Sequence, residues 1–190
     1  MYPELLDHIG KYVTLSQQEQ TVVCQHLELK QVKKKQHLLQ AGQVCQGNYF
    51  VVKGCLRQYL INDKLNEQII QFGLENWWIA DQDSLLNQKP SQCYIQALEP
   101  AEVLLLPEKN RKILFEQVPQ LESYFRIMMQ IAFVATQRRI GFIFNMSDEE
   151  RYRHFMKLYP AFAQRIPQYM LASYLGFTPQ FMSRLRAKKV

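Results

Sequence analysis

The sequence predicts an α+β protein in three parts: a β-rich N-terminal block, one long helix and a short helical C-terminal block. Up to about residue 117, short runs of β-branched and aromatic residues alternate with glycines and an Asn-Asp pair, as strands and turns do. From 119 to 145, apolar residues recur at helical spacing. The rest of the chain is divided into short helices by capping patterns and a central glycine.

The β-rich block is predicted from runs whose ends are marked by turn residues. These runs are Tyr49–Val52, Cys55–Ile61, Glu67–Phe72, Tyr94–Ala97 and Val103–Leu106. Two helices are expected before them, and the second begins at a capping box in which Ser16 pairs with Glu19. Many short strands joined by turns are typical of a small barrel or sandwich, and such folds often hold a small ligand.

Composition narrows the function classes. The chain has 190 residues and no apolar run of the ~20 residues that a membrane span needs. Its N-terminus lacks a signal-peptide pattern, so we expect a cytoplasmic protein. No P-loop, nucleophile elbow or metal-ligand spacing is present, so we expect no enzyme. The cysteines at 24, 45, 55 and 93 are spaced as free thiols rather than as a zinc site or a disulfide framework.

The positive charge is concentrated in the C-terminal block. Residues 148–190 contain 8 Lys/Arg and 3 Asp/Glu, whereas residues 1–147 contain 15 and 14. This excess favours an anionic partner such as double-stranded DNA, although basic tails also improve solubility.

The C-terminal block predicts two helices joined by a tight turn. The first, Gln168–Leu175, ends at Gly176, and Thr178 caps a second helix whose first residue is Pro179. We expect this element, from Gln168 to Lys188, to bind DNA, with Gln168 and Thr178 among its contacts. The residues predicted to face outward on the second helix are Gln180, Ser183, Arg184 and Lys188. Such a face can pair with bases in the major groove. The alternative is a helical hairpin with a solvated basic face.

The long helix is a candidate homodimer interface. Its nearly heptad seam consists of Leu121, Phe125, Met128, Ala132 and Ala135. The two alanines permit the close approach of a twin helix. The alternative is a core helix of a monomer, because apolar residues occupy more than one face.

The C-terminal stretches Ser147-Asp-Glu-Glu-Arg-Tyr and Ile166 to Arg186 resemble regulators of the Crp/Fnr family, especially the short form common in Bacteroidetes. The resemblance extends more weakly over the whole chain. The resemblance implies that residues 1–117 form a sensor domain. The fold of this domain would be a double-stranded β-helix, which is the jelly-roll-like β-roll of cyclic-nucleotide-binding type. The resemblance further implies a dimerisation helix at 118–146 and a helix-turn-helix DNA-binding domain at 147–190. The family's base-reading positions fall on Pro179, Gln180, Ser183 and Arg184, and RNA polymerase becomes a candidate partner.

The sensor departs from the pattern of cyclic-nucleotide binders. Their Gly-Glu pair and Arg-containing stretch correspond to Ala80-Asp81 and Ser91-Gln92-Cys93. No Arg is present to hold a cyclic phosphate, and Lys89 is a poorer substitute. We therefore expect no tight binding of cyclic AMP. The candidate ligand pocket consists of Trp78, Asp81, Ser91, Gln92 and Cys93, although Trp78 is equally suited to the barrel core or to a dimer contact.

Other cofactors and functions are less favoured. Cys24, Cys45 and Cys55 lack the spacing of the iron–sulfur members of the family, and scattered histidines do not indicate haem. No cofactor is therefore expected. Many relatives carry a β-hairpin wing after the second helix, whereas this sequence ends at Val190. We therefore expect a DNA-binding domain without a wing. The remaining alternative is a ligand-binding module whose C-terminal helices contact another protein.

Overall fold

The computed structural model describes residues 1–177 and residue 181 of the chain. The chain forms two compact units that do not follow simple sequence order. The first unit consists of residues 1–60 and 71–130. The second consists of residues 61–70 and 131–190.

Within the described residues, eight strands form two four-stranded sheets. They are β1 (Glu28–Val32), β2 (His37–Leu39), β3 (Gly47–Lys53), β4 (Leu56–Ile61), β5 (Glu67–Gly73), β6 (Trp78–Ile79), β7 (Tyr94–Ala97) and β8 (Ala101–Pro107). One sheet has the order β1-β8-β3-β6 and the other β2-β7-β4-β5. The five predicted runs correspond to β3, β4, β5, β7 and β8, and the predicted α+β class with a two-sheet roll is confirmed.

Apolar side chains from both sheets fill the space between them. Val51, Leu56, Ile95 and Val103 are fully buried there. Successive strand residues point to opposite faces, so the alternate residues of β3 and β8 lie on the outer face of the first sheet. Phe50, Leu104 and Leu106 are therefore available to pack against helices.

Helices cover that outer face. The first unit contains α1 (Pro3–Gly10), α2 (Gln17–Gln25), α3 (Gln82–Asn87), α4 (Glu108–Gln117) and the first half of α5 (Gln120–Asn145). The predicted capping box at the start of α2 is confirmed, because the Ser16 side chain accepts from the Glu19 amide and Glu19 binds the Ser16 amide. The core on this side consists of Leu5, Ile9, Val23, Leu27, Phe50, Leu104, Leu106, Leu114, Val118, Leu121 and Tyr124.

A buried chain of hydrogen bonds fixes the start of α5 to α1 and β6. The Trp78 Nε1–H donates to the Tyr124 hydroxyl at 2.8 Å. The same hydroxyl lies 2.8 Å from His8 Nδ1. Since Trp78 supplies one proton, Tyr124 is free to donate its own to a neutral His8. Burial, followed by the charge of Lys11, lowers the pKa of His8 and maintains that neutral form.

The second unit contains the rest of α5 together with α6 (Asp148–Leu158), α7 (Pro160–Arg165) and α8 (Gln168–Leu175). Ser147 and Glu150 form a capping box at the start of α6, and Pro160 occupies the first position of α7, a helix that the sequence patterns did not predict. The buried apolar residues include Phe155, Phe162, Ile166, Met170, Leu171, Ala172, Leu175 and Phe177.

Arg151 is a buried cation in this core. Its guanidinium binds Asp148 one turn earlier in α6 and the Ile143 carbonyl of α5 at 3.4 Å. It also lies 5.6 Å from the centre of the Phe177 ring. Because it bonds two helices and contacts the residue after Gly176, Arg151 links α5 and α6 to the turn that ends α8.

Candidate nucleic-acid interface and sensor site

The first helix of the predicted DNA-binding pair is present with its predicted bounds. Helix α8 begins after Pro167, which precedes the first helical residue rather than occupying it. It ends at Gly176, whose φ of 83° and ψ of 27° are left-handed. The amides of Gly176 and Phe177 both donate to the Ala172 carbonyl at 3.0 Å. This termination produces the sharp turn that a helix-turn-helix requires, since glycine adopts positive φ without steric penalty.

The two faces of α8 differ in exposure. Leu171 and Ala172 are fully buried, and Leu175 is 4% exposed, so these three residues form the inward face. Tyr169, in the first turn, is 53% exposed and was not recognised from the sequence. A hydroxyl at the amino end of such a helix is suited to a phosphate oxygen. Gln168 is half-buried, and its amide oxygen is buried without a hydrogen-bond partner among the described residues.

Most of the predicted DNA contacts lie outside the described residues. These are Thr178, Pro179, Gln180, Ser183, Arg184 and Lys188. Phe181 is described, and its ring packs edge-on against Phe177 with 5.5 Å between the ring centres.

The predicted seam on α5 is largely occupied within the chain itself. At one end, Leu121 is only 1% exposed in the core of the first unit, so it has no surface left for a partner. Phe125 and Met128 are partly buried against the same core. Ala132 and Ala135, in the middle of the seam, are exposed. At the other end, the same spacing continues to Arg139 and Phe142. Arg139 packs on Tyr174 and Phe142 packs on His154, both within the second unit.

An exposed apolar stripe lies one residue away from that seam. Met129, Phe133, Ile140 and Phe144 recur at intervals of 4, 7 and 4 residues, which places them on one side of α5. Their exposed fractions are 48, 62, 46 and 81%. The sequence analysis missed this stripe because α5 has apolar residues on several faces. The sequence does not show which of these faces is buried by other parts of the same chain.

The sensor residues Asp81, Ser91 and Cys93 come together at the start of α3. One Asp81 carboxylate oxygen caps α3 by accepting from the amides of Asp83 at 3.1 Å and Ser84 at 3.3 Å. The other accepts from the Ser91 hydroxyl at 2.6 Å. The Cys93 amide in turn donates to that hydroxyl at 2.8 Å. Asp81 is 8% exposed, so both of its oxygens are used inside the fold.

These residues do not fit a cyclic nucleotide. Such a ligand needs a carboxylate that can accept from its ribose hydroxyls, whereas Asp81 already binds α3 and Ser91. The phosphate needs a cation, yet no Arg occurs from 80 to 93 and Lys89 forms an ion pair with Asp83 at 2.7 Å. The helix amides that would attract an anion are capped by the protein's own carboxylate.

The other candidate pocket residues lie apart from this cluster. The Trp78 ring packs between Phe50 and Phe125, with ring centres 5.2 and 5.1 Å away, and so belongs to the helix-covered core. Gln92 is exposed. A cavity of about 800 Å³ lies elsewhere in the first unit, bounded by β2, the loop after it and the start of α4. None of the five candidate pocket residues lines this cavity.

The cysteines do not form a metal site among the described residues. Cys45, Cys55 and Cys93 are buried and Cys24 is half-buried, all as free thiols. Burial raises the pKa of the Cys45 and Cys93 thiols, which disfavours the thiolate that iron or zinc would bind. In the described part of the chain, no His, Cys, Asp or Glu side chains cluster in a way that could hold a metal ion. The donor set therefore does not fit an iron–sulfur cluster.

Comparison with known proteins agrees with this fold. Residues 29–117 match the cyclic nucleotide-binding domain. The chain is 28% identical to the anaerobic regulatory protein of Haemophilus influenzae, over 90% of this chain and 71% of that protein. It is 27% identical to the fumarate and nitrate reduction regulatory protein of Vibrio cholerae, over 90% and 73%. The solved structure of FixK2 from Bradyrhizobium japonicum has a TM-score of 0.72 at 16% identity, covering 85% of this chain and 83% of that one.

The roll of cyclic-nucleotide-binding type, the long helix α5 and the C-terminal helices form the fold of Crp/Fnr-type transcription regulators, which are not enzymes. Its relatives and structural neighbours are regulators of the Crp/Fnr type, to which the chain is similar along most of its length. No helix in the described part of the chain is both long enough and apolar enough to cross a membrane.

Proposed function

We propose that this regulator is a homodimer that reads a palindromic operator in double-stranded DNA through residues 168–188, under the control of a sensor that does not take cyclic AMP. The domains are a sensor at 1–117, a dimerisation helix at 118–146 and a DNA-binding domain at 147–190. Base reading is assigned to Pro179, Gln180, Ser183 and Arg184, and RNA polymerase is the proposed partner at promoters.

The observation that carries the proposal is the geometry of α8. The helix ends at a left-handed Gly176 directly after a buried face that includes Ala172. A small buried residue and a glycine turn allow a second helix to cross close over the first. The sequence after the turn then supplies basic and amide side chains to the major groove.

The dimer is supported by the exposed stripe on α5. Met129, Phe133, Ile140 and Phe144 present a connected apolar surface of the kind that marks an interface. With the exposed Ala132 and Ala135 beside them, a twin helix can approach closely. A two-fold dimer would place its two reading helices about 34 Å apart, one turn of DNA, which sets the spacing of the half-sites.

We propose that the sensor acts by shifting the equilibrium between conformations of the protein. A ligand changes the equilibrium between conformations only by binding one of them more tightly. Since Asp81 is bound to α3 and Ser91, we propose that the controlling ligand is not a cyclic nucleotide held in the usual way.

The test is selection of bound DNA from a random pool, followed by fluorescence anisotropy on the selected palindrome. Arg184→Ala should weaken binding by about 1–3 kcal/mol and relax the base preference at one position of each half-site. Arg138→Ala is the matched control, because it removes the same charge from an exposed position on α5. An Arg184 variant with unchanged sequence preference would contradict the reading role.

Salt dependence separates this function from the alternative, a ligand-binding module whose C-terminal helices contact a protein. Neutralised phosphates release counterions, so specific DNA binding should weaken steeply as salt rises. An apolar protein contact should respond little. Failure to enrich any DNA sequence would refute the regulator proposal and favour the protein-contact module.

A further inference from the structure

The hairpin that joins β4 to β5 belongs to the same compact unit as the DNA-binding helices. Residues 61–70 form part of the second unit, although they precede α6 by almost eighty positions. The hairpin turn is built by Asn62, whose side-chain oxygen accepts from the amides of Lys64 and Asn66 at 3.0 Å each. Leu65, at the tip, is 85% exposed.

Ser173 of α8 binds the main chain at the start of β5. Its hydroxyl donates to the Glu67 carbonyl at 3.0 Å and accepts from the Ile69 amide at 2.9 Å. Residues two apart in a strand direct their main-chain groups to the same edge. Because β5 is the last strand of its sheet, no described strand lies along that edge. The serine therefore pairs with the strand edge as a neighbouring strand would.

Two other side chains complete this contact. Gln68, exposed on the hairpin, donates from its amide nitrogen to the Ser173 carbonyl at 2.6 Å. Arg139 of α5 donates to the Ile70 carbonyl. Its guanidinium also lies 4.8 Å from the centre of the Tyr174 ring. Helix α8 is thus joined to both β5 and α5 through two consecutive residues, Ser173 and Tyr174.

We propose that Ser173 and Arg139 are positioning residues for the DNA-binding domain, which is called the head below. They clamp the hairpin to α8, so that the hairpin and α8 move as one body. This inference rests on the proposed DNA-binding function. The clamp restricts α8 to one orientation, and α8 supports the helix that reads bases.

The decisive comparison is Ser173→Val against Ser173→Thr. Valine and threonine have nearly the same shape, and only threonine keeps the hydroxyl. In the full-length protein without DNA, the amides of residues 67–70 should exchange hydrogen at least about 10-fold faster in the valine variant, because a lost hydrogen bond of about 1.4 kcal/mol corresponds to that factor. The threonine variant should exchange as the wild type does.

The second measurement is affinity for the selected palindrome. Ser173→Val should bind about 5- to 30-fold more weakly, because two hydrogen bonds no longer hold the binding orientation. Its salt dependence should be unchanged, since no phosphate contact is removed. Gln68→Ala, on an exposed position, should weaken binding in the same direction by a smaller factor. Leu65→Ala, at the exposed tip, is the control and should change neither measurement.

The outcomes separate the clamp from the proposed function. Equal exchange rates in the valine and threonine variants would overturn the clamp whatever the DNA result. Faster exchange with unchanged DNA affinity would show a hairpin contact that does not position the head, and would also overturn the inference. Faster exchange in a protein that binds no selected DNA would refute the regulator proposal and with it the positioning role, while leaving the coupling between hairpin and α8 established.

Discussion

Replacing Tyr124 by Phe tests the hydrogen-bond chain that anchors the start of α5. The side chain is fully buried, and its hydroxyl is the shared partner of Trp78 Nε1 and His8 Nδ1, each at 2.8 Å. Burial raises the pKa of this tyrosine, so the hydroxyl stays protonated at any working pH. Phenylalanine retains the ring and its packing and removes only the oxygen.

The magnitude follows from the two groups left without a partner. An unsatisfied buried polar group costs about 1–3 kcal/mol. His8 is 9% exposed and carries most of this penalty, whereas the half-buried Trp78 indole regains some solvation. We therefore expect Tyr124→Phe to lower the free energy of unfolding by about 2–4 kcal/mol. In a chain of this size that corresponds to a fall in Tm of roughly 4–16 °C.

The assay is urea unfolding followed by tryptophan fluorescence, because Trp78 lies in the affected cluster. Tyr12→Phe is the matched control: this tyrosine touches the same cluster, with 6.0 Å between its ring centre and that of Tyr124, but it is 38% exposed. The control should lie within about 0.5 kcal/mol of the wild type. If Tyr124→Phe is no less stable than Tyr12→Phe, the hydrogen-bond chain does not anchor α5 and the reasoning fails.

Two further predictions concern pH and ligand. Because the pKa of His8 is lowered in the fold, the unfolded chain binds the proton more readily, and stability should fall as pH drops through about 6.5. His8→Asn, which keeps an acceptor but does not titrate, should lose this part of the pH dependence in urea titrations; equal slopes for both proteins would argue against it. Isothermal calorimetry with cyclic AMP should give no saturable heat, because Asp81 is already bound by α3 and Ser91 and Lys89 by Asp83. A dissociation constant in the micromolar range or tighter would show that the network opens for the ligand.

Local patterns predicted the longer strands and the capped helices. β7 was predicted with its observed bounds, since a compact run of aromatic and β-branched residues ends in turns on both sides. β1, β2 and β6 were missed. The sequence of β1 is mostly polar and exposed, and β6 has only two residues, so these strands depend on pairing with β8 and β3 rather than on their own composition.

Roles that depend on distant partners could not be predicted in the same way. Asp81 was assigned to the candidate ligand pocket, whereas it caps α3. A signal was present, because Asp directly before a polar helical turn is a common N-cap. Ser173 was not recognised because its partners are main-chain groups over a hundred residues earlier, which carry no sequence signature. Leu121 was assigned to a dimer seam by periodicity, which cannot distinguish an intrachain core from an interface.

The hairpin contact also bears on how such regulators can diversify. The chain passes between its two units near residues 60, 70 and 130, so a single fusion point within α5 would not transfer the second unit intact to a different N-terminal domain. The transferred helices would arrive without the main-chain groups of β5 that Ser173 and Arg139 bind. Those bonds from Ser173 and Arg139 end on main-chain atoms of Glu67, Ile69 and Ile70. Substituting the side chains of Glu67, Ile69 and Ile70 would therefore leave these acceptors and this donor in place as long as the backbone path is kept.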